Sequence, residues 1–451
     1  MPESFSDGET IPMENGGFAT VIGGMLGSGG QGQVYKVEYS GKNYALKWYT
    51  AEEILVNREF RENIDKNIKA KSPSKFFVWP LYLTKWHKDS YGYLMELIPN
   101  NYEKFSDVLR TYKIESIDIS KTKKIPVYFN STKSKVIAAL HVIEAFRKLH
   151  KQGKSYQDLN DGGLLFDTKS GDVLICDCDN VAPDYFNFGI QGKQGYEAPE
   201  VVSKREKPNV NSDRFSLAII LFKLLFNGDP FVGKKVIENN KTGVTDKSAQ
   251  EMYANPLFIF NPKDRSNEPD SSTHKSIIAL WGYYPQYVRD AFIRTFTDGI
   301  TDASKRLIEM DWFRVMMKLY SETVECECGK PGSFISTNKS NSKSYLCPKC
   351  GKKYDILEVL DYKMPMVKNN VLWPCHLDRL SEDYTTIVSK VVENKNRPGV
   401  LGLKNFTEFT WNTKINIQSK DTFLKVKKDE GVMVASGLQI DFGNGVIGKV
   451  L

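Results

Sequence analysis

The chain is poor in cysteine and has no long apolar run. Its 451 residues include seven cysteines, with two close pairs in the C-terminal third. That distribution is no disulfide framework and points to a reducing, cytoplasmic compartment. The longest apolar run, Leu217–Phe226 (LAIILFKLLF), contains a lysine and is too short to span a bilayer. It reads as a buried core helix, and no membrane partner is expected. The opening MPESFSDGETIP lacks the charged-then-apolar pattern of a secretion signal. Neither sign of charge dominates. A net charge of +7 leaves nucleic acid open as a partner without favouring it, because a solvated basic surface explains it as well. Internal repeats are also missing.

What is present divides the chain. Up to about residue 98, FATVIGGMLGSGGQGQVYKVEYSGKNYALKWY alternates apolar and polar residues around glycine-rich turns, as antiparallel strands do. AEEILVNREFRENIDKNIKA has helical spacing. From 99 to 322 helices dominate, among them KSKVIAALHVIEAFRKLHKQG, stopped by glycine, and SDRFSLAIILFKLLFNG, opened by a Ser-Asp cap. Residues 323–356 are cysteine-rich. Residues 366–451 are rich in Val, Ile, Thr, Asn and Gly, which predicts a small all-β, sandwich-like interaction domain. The polar stretch Ser336–Ser344 (STNKSNSKS) reads as a loop.

Gly27, Gly29 and Gly32 form a G-x-G-x-x-G-x-V pattern that leads into a strand, QVYKVEYS, rather than into a helix. Glycines in such a hairpin let backbone N–H groups approach phosphate oxygens. Lys47 follows on an apolar strand, YALKWY, where burying it demands anionic partners. Phosphates and a helix carboxylate would supply them. Glu62 is the expected carboxylate, with Glu59 as the alternative.

Here the chain resembles the protein kinase family, over roughly residues 20–322. MEL (Met95, Glu96, Leu97) looks like the hinge that receives adenine, with Met95 as gatekeeper. LHKQGKSYQD resembles the run into the catalytic loop, CDCDN the metal-binding segment, and GYEAPE the Ala198-Pro199-Glu200 signature. DASKRLIEMDWF carries Arg306, the expected partner of Glu200. The resemblance implies a two-lobed α+β fold, with an N-lobe over 1–98 and a C-lobe over 99–322. It implies ATP with Mg²⁺ or Mn²⁺ as cofactors and a protein serine or threonine as substrate. Gly27, Gly29 and Gly32 would cover the phosphates, and Lys47 would bind them. Val34, Ala45 and Leu165 would enclose adenine. Asp177 would hold the metal, Asp179 fitting that place less well, and Asp158 would be the base.

The departures cluster near Asp158. The His-Arg that usually precedes the base is Tyr156-Gln157, so the cation for an activation-segment phosphate is gone. From Cys178 to Glu200 there is no serine or threonine; only Tyr185 and Tyr196 carry hydroxyls. Activity is therefore expected not to need segment phosphorylation. Gly163 stands where the family has the asparagine for a second metal, and Asn160 where it has a lysine. Asn160, Asp161 or Asp179 would have to supply a metal oxygen, and Lys193 the missing positive charge. The alternative function is a nucleotide-binding pseudokinase scaffold whose C-terminal parts bind partners or nucleic acid.

Cys326, Cys328, Cys347 and Cys350 occur as C-x-C-G and C-P-x-C-G, a pattern suited to one structural, tetrahedral Zn²⁺. The segment resembles a zinc ribbon, read here as a metal-stapled spacer. Cys375-His376, Cys176 and Cys178 read as core packing residues. The segment around Gly402–Asn405, Trp411 and LQIDFGNGVIG loosely resembles the last strands of forkhead-associated domains, without their phosphothreonine-binding arginine and serine. The whole order, particularly YQDLNDGG and LICDCDNVA, resembles bacterial kinases of tellurite-resistance-type gene clusters. That resemblance implies stress or defence signalling beside a von Willebrand-type protein and a metal-dependent phosphatase.

Overall fold

The structure is a computed structural model, and it describes residues 4–116, 122–189, 192–240, 246–329, 332–337, 343–417 and 420–451. Residues 338–342 of the polar stretch read as a loop lie outside the described residues. The chain forms two compact units. One holds residues 1–130, 137–281 and 290–313; the other holds 131–136, 282–289 and 314–451.

The first unit begins with a six-stranded antiparallel sheet, in the order β1 (Thr10–Pro12), β2 (Phe18–Ser28), β3 (Gly32–Tyr39), β4 (Lys42–Tyr49), β6 (Gly92–Met95), β5 (Tyr82–Leu83). Period-two alternation gives the sheet two apolar faces. Leu46, Trp48 and Leu94 join Val21, Tyr35 and Val37 on one side. Ala45, Tyr49, Tyr91, Tyr93 and Met95 face the other, where Phe60 and Ile64 pack on them. Those two come from helix α2 (Arg58–Ala70), which follows a single turn, α1 (Glu52–Leu55). Asn57 caps α2, its side chain accepting from the Phe60 N–H at 3.1 Å.

The second lobe is mainly helical. After α3 (Phe105–Arg110) come α4 (Thr132–His150), α5 (Pro199–Val202) and α6 (Val210–Phe226). Leu217–Phe226 is a buried core helix, as its apolar run predicts. Its start differs from expectation. The cap is Asn209, which forms a capping box with Ser212, so Ser212 and Asp213 lie inside the first turn. Asp213 is thereby freed for another task. Arg306 is fully buried and forms the expected pair with Glu200, at 2.6 and 2.8 Å. Among the described residues no helix is long and apolar enough to cross a membrane.

The second unit is mostly β. A seven-stranded sheet and a four-stranded sheet enclose Leu357, Leu403, Trp411, Ile440 and Val450. The all-β reading of the C-terminal part therefore holds. The strand Lys353–Val359 pairs with Ser344–Leu346 in the cysteine segment and with Ile447–Val450 at the chain's end. The sheet thus takes in residues ahead of the expected start at 366.

Candidate active site

Lys47 lies on the face of β4 that also carries Ala45 and Tyr49, and it is almost fully buried. Its ammonium is 2.8 Å from Asp179 Oδ2 and 3.2 Å from Asp177 Oδ1, and it donates to Gln31 Oε1 at 3.0 Å. Burial works against the charge, yet the two carboxylates prevail and raise the lysine's pKa. Lys47 therefore stays cationic. Gln31 is supplied by the turn between β2 and β3, closed by the Gly29 N–H donating to Gly32 O at 2.8 Å. At Gly32 a Cβ would strike the Trp48 carbonyl, so only glycine lets β3 approach β4 there.

Asp158 follows a short strand, Lys154–Ser155. Its Oδ1 accepts from the Lys193 N–H and from Asn160 Nδ2, each at 2.9 Å. Burial raises its pKa against these donors, and Asp177 adds to the rise. The backbone of the loop is fixed from below. Asp213 on α6 accepts from the N–H groups of Tyr156 at 2.5 Å and Gln157 at 2.9 Å, and His150 binds the same carboxylate at 3.0 Å. Tyr156 donates its hydroxyl to the Cys176 carbonyl, tying the loop to the segment that carries Asp177. Gln157, where an arginine is usual, sits at φ 75°. It donates to Phe186 O and accepts from Asn187 Nδ2 at 2.9 Å. A neutral amide thus clasps the following segment.

Asp177 adopts φ 54° and leaves its carboxylate half exposed, whereas Asp179 is fully buried. A Cβ placed on Gly163 would stand 3.8 Å from Asp177 Oδ2, so an asparagine there would point at that carboxylate. The expected substitutes are turned elsewhere. Asn160 Oδ1 accepts from the Gly162 N–H at 2.8 Å, and its amide braces Asp158. Asp161 takes the Lys193 ammonium. Asp179 takes Lys47, Tyr49 and Tyr93. The chemistry of Asp177, an open carboxylate beside a bound lysine, fits a hard divalent cation. Lys47, Asp158 and Asp177 come together.

The expected Lys47–Glu62 pair is not formed. Glu62 and Glu59 are both exposed, and among the described residues neither pairs with Lys47. The buried stripe of α2 is Phe60, Asn63, Ile64 and Asn67. One residue turns a helix by about 100°, which takes Glu62 out of that stripe.

A family model for the protein kinase domain matches residues 20–291, more than half of the chain. The chain belongs to the protein kinase family. Its kinase domain is similar to CBL-interacting protein kinase 4 of Oryza sativa subsp. japonica, 23% identical over 171 residues (36% of each chain). It is similar to beta-adrenergic receptor kinase 1 of Mesocricetus auratus, 25% identical over 251 residues (54% of this chain, 33% of that one). It also matches CBL-interacting serine/threonine-protein kinase 7 of Arabidopsis thaliana, 32% identical over 92 residues (19% of this chain, 21% of that one). The chain thus spans about a third of the length of the first curated relatives it matches.

In this kinase domain the expected adenine side is apolar. Ala45 pairs in register with Met95, and Val34 with Lys47. Val34, Leu97, Leu174 and Cys176 pack partly buried against the cluster that includes Ala45 and Met95. Leu165 is opposite Leu174 on the strand Leu164–Asp167, and Glu96 and Leu97 follow β6. Sequence reasoning missed Gln31, Asp179 and Asp213 in these roles. The apolar stripe of α2, which skips both glutamates, was the available signal against Glu62.

In the other unit, the Sγ atoms of Cys326, Cys328, Cys347 and Cys350 lie within 4.8 Å of one another. Gly329 and Gly351 follow the two pairs at φ 71° and 72°. Burial opposes ionisation of Cys347, but N–H donors from Cys350 and Lys349 outweigh it and bring its thiol down to about 6. Four converging sulfurs fit a tetrahedral Zn²⁺. Cys375 and His376 are buried, the His376 ring against those of Trp373 and Tyr362 and between the Ser321 hydroxyl and the Trp373 N–H.

Proposed function

We propose that the chain transfers the γ-phosphoryl group of ATP to a serine or threonine of a protein. The observation that carries this reading is the proximity of Lys47, Asp158 and the open carboxylate of Asp177. Lys47 holds the α and β phosphates. Asp177 would hold Mg²⁺, which would supply charge neutralisation on the transferring group. Asp158 accepts the hydroxyl proton as the substrate oxygen bonds to the γ-phosphorus and the bond to the bridging oxygen of ADP breaks. Its raised pKa makes it a better proton acceptor than an exposed aspartate. A groove of about 770 Å³ lined by Asn187, Gly192, Glu197, Lys204 and Arg205 lies beside the loop and would take the peptide. The Gln157 clasp supports activity without a segment phosphate. The similarity to CBL-interacting serine/threonine-protein kinase 7 supports serine or threonine as acceptor.

The four cysteines hold one structural zinc, and the sheets beyond them serve as an interaction domain. A place in bacterial stress or defence signalling, beside a von Willebrand-type protein and a metal-dependent phosphatase, rests on the resemblance of YQDLNDGG and LICDCDNVA alone. The test is transfer of labelled γ-phosphate by the full chain and by Asp158→Asn. The variant should lose roughly 10²- to 10⁴-fold in rate. A wild-type chain that binds ATP yet labels neither itself nor any polypeptide supports the second reading, a nucleotide-binding scaffold, which Gly163 favours by withholding the second metal ligand.

A further inference from the structure

A phosphate-binding lysine needs an anionic anchor to hold its ammonium in place, and in kinases a carboxylate on the helix behind the sheet normally provides it. Here that helix offers none. The α2 face turned to the site carries Asn63 and Asn67, both of which donate to the Val181 carbonyl, at 2.7 and 2.8 Å. Asn57, its cap, reaches Phe188 O at 2.9 Å. The helix is stapled to the backbone of the segment after Asp179 by three neutral amides, with no ion pair to Lys47.

The anchor comes from that segment itself. Asp179 is fully buried, and both its oxygens are engaged. Oδ1 accepts from Lys47 Nζ at 3.0 Å and Tyr93 Oη at 3.2 Å; Oδ2 accepts from Tyr49 Oη at 2.6 Å and lies 2.8 Å from Lys47 Nζ. A carboxylate so enclosed is unavailable to a metal ion. Asp177, two residues earlier and half exposed, is available. The left-handed turn at Asp177 sends the two carboxylates to opposite tasks.

We propose that Asp179 is the positioning residue for Lys47, replacing the helix carboxylate, so that Lys47 is set for phosphates by the segment that carries the metal aspartate and not by α2. This rests on the nucleotide-binding reading of the cleft. It removes the on–off element in which a helix swing makes and breaks the lysine's ion pair.

The test compares binding of ATP and of adenosine, which lacks phosphates, to the full chain and to Asp179→Asn and Glu62→Gln. The Asp179 variant should lose about tenfold or more in ATP affinity, the worth of a charge-assisted hydrogen bond, with adenosine affinity unchanged. Glu62→Gln should change neither. A merely structural Asp179 would weaken both ligands together, and that result overturns the proposal. So does unchanged or tighter ATP binding, or loss of ATP binding in Glu62→Gln. Should Asp179→Asn not fold, Tyr49→Phe removes the 2.6 Å donor and should weaken ATP several-fold but not adenosine; equal effects on both, or none, overturn the proposal. A wild-type chain that binds neither ligand refutes the nucleotide reading instead.

Discussion

Replacing Gly163 by asparagine should create a second metal site. Gly163 is outside the left-handed region, so the backbone accepts a side chain. A Cβ there would meet Tyr156 Oη at 3.4 Å, the Cys176 carbonyl at 3.7 Å and Asp177 Oδ2 at 3.8 Å, all ordinary contacts. An amide on that Cβ would be within reach of a cation held by Asp177. One added oxygen ligand to a charged partner is worth about 1.5–3 kcal/mol, or roughly 10- to 150-fold in affinity for a second ion. The assay is calorimetric titration of Mn²⁺ into the chain saturated with a non-hydrolysable ATP analogue. Wild type should take up one ion per site and Gly163→Asn two, with little change in thermal stability before metal is added. The reasoning fails if wild type already binds two ions, or if the variant folds and still binds one.

Arg306→Met keeps volume but strands Glu200 in the core, and also removes donors to the Gly299 and Asn211 carbonyls; urea unfolding should show a loss of about 3–5 kcal/mol. Burial disfavours charge on His150, but Asp213 and Glu309 at 3.0 and 2.9 Å overcome it and raise its pKa to about 9. A raised folded pKa gives stability that is complete below the unfolded value of about 6.5 and is lost as pH rises through 9. Stability measured from pH 7 to 10 should therefore fall, by about 2.5 kcal/mol, and the slope should flatten in His150→Gln. Elemental analysis should find one zinc per chain, and a strong chelator or Cys347→Ser should lower the melting temperature of the C-terminal unit; a metal-free chain indifferent to added zinc would contradict the cluster's assignment.

Much of the kinase fold was legible because its chemistry is local. Glycines before a strand, a lysine on an apolar strand and an aspartate before a Gly-rich run each state their role in a few residues. The C-terminal sheets were legible from alternation. The failures were questions of direction. Whether Glu62 or Asp179 meets Lys47 depends on which way a helix face turns, and on a left-handed turn at a non-glycine residue that composition does not announce. The cap of α6 was misplaced because Ser212-Asp213 resembles a cap, while Asp213 is taken by the catalytic loop and Asn209 does the capping. The reach of the strand Lys353–Val359 into the last strand was invisible because the pairing spans about ninety residues.

That strand constrains chain length. Tyr354 belongs to the cluster around Cys326 and Cys347, whereas Leu357 and Val359 belong to the core between the sheets. The same seven residues are thus registered against the sulfurs at one end and against the sandwich at the other. Inserting or deleting a single residue between Tyr354 and Leu357 would invert one of these two sets relative to its neighbours. Loop grafts and fusions in this unit therefore have to leave that interval untouched.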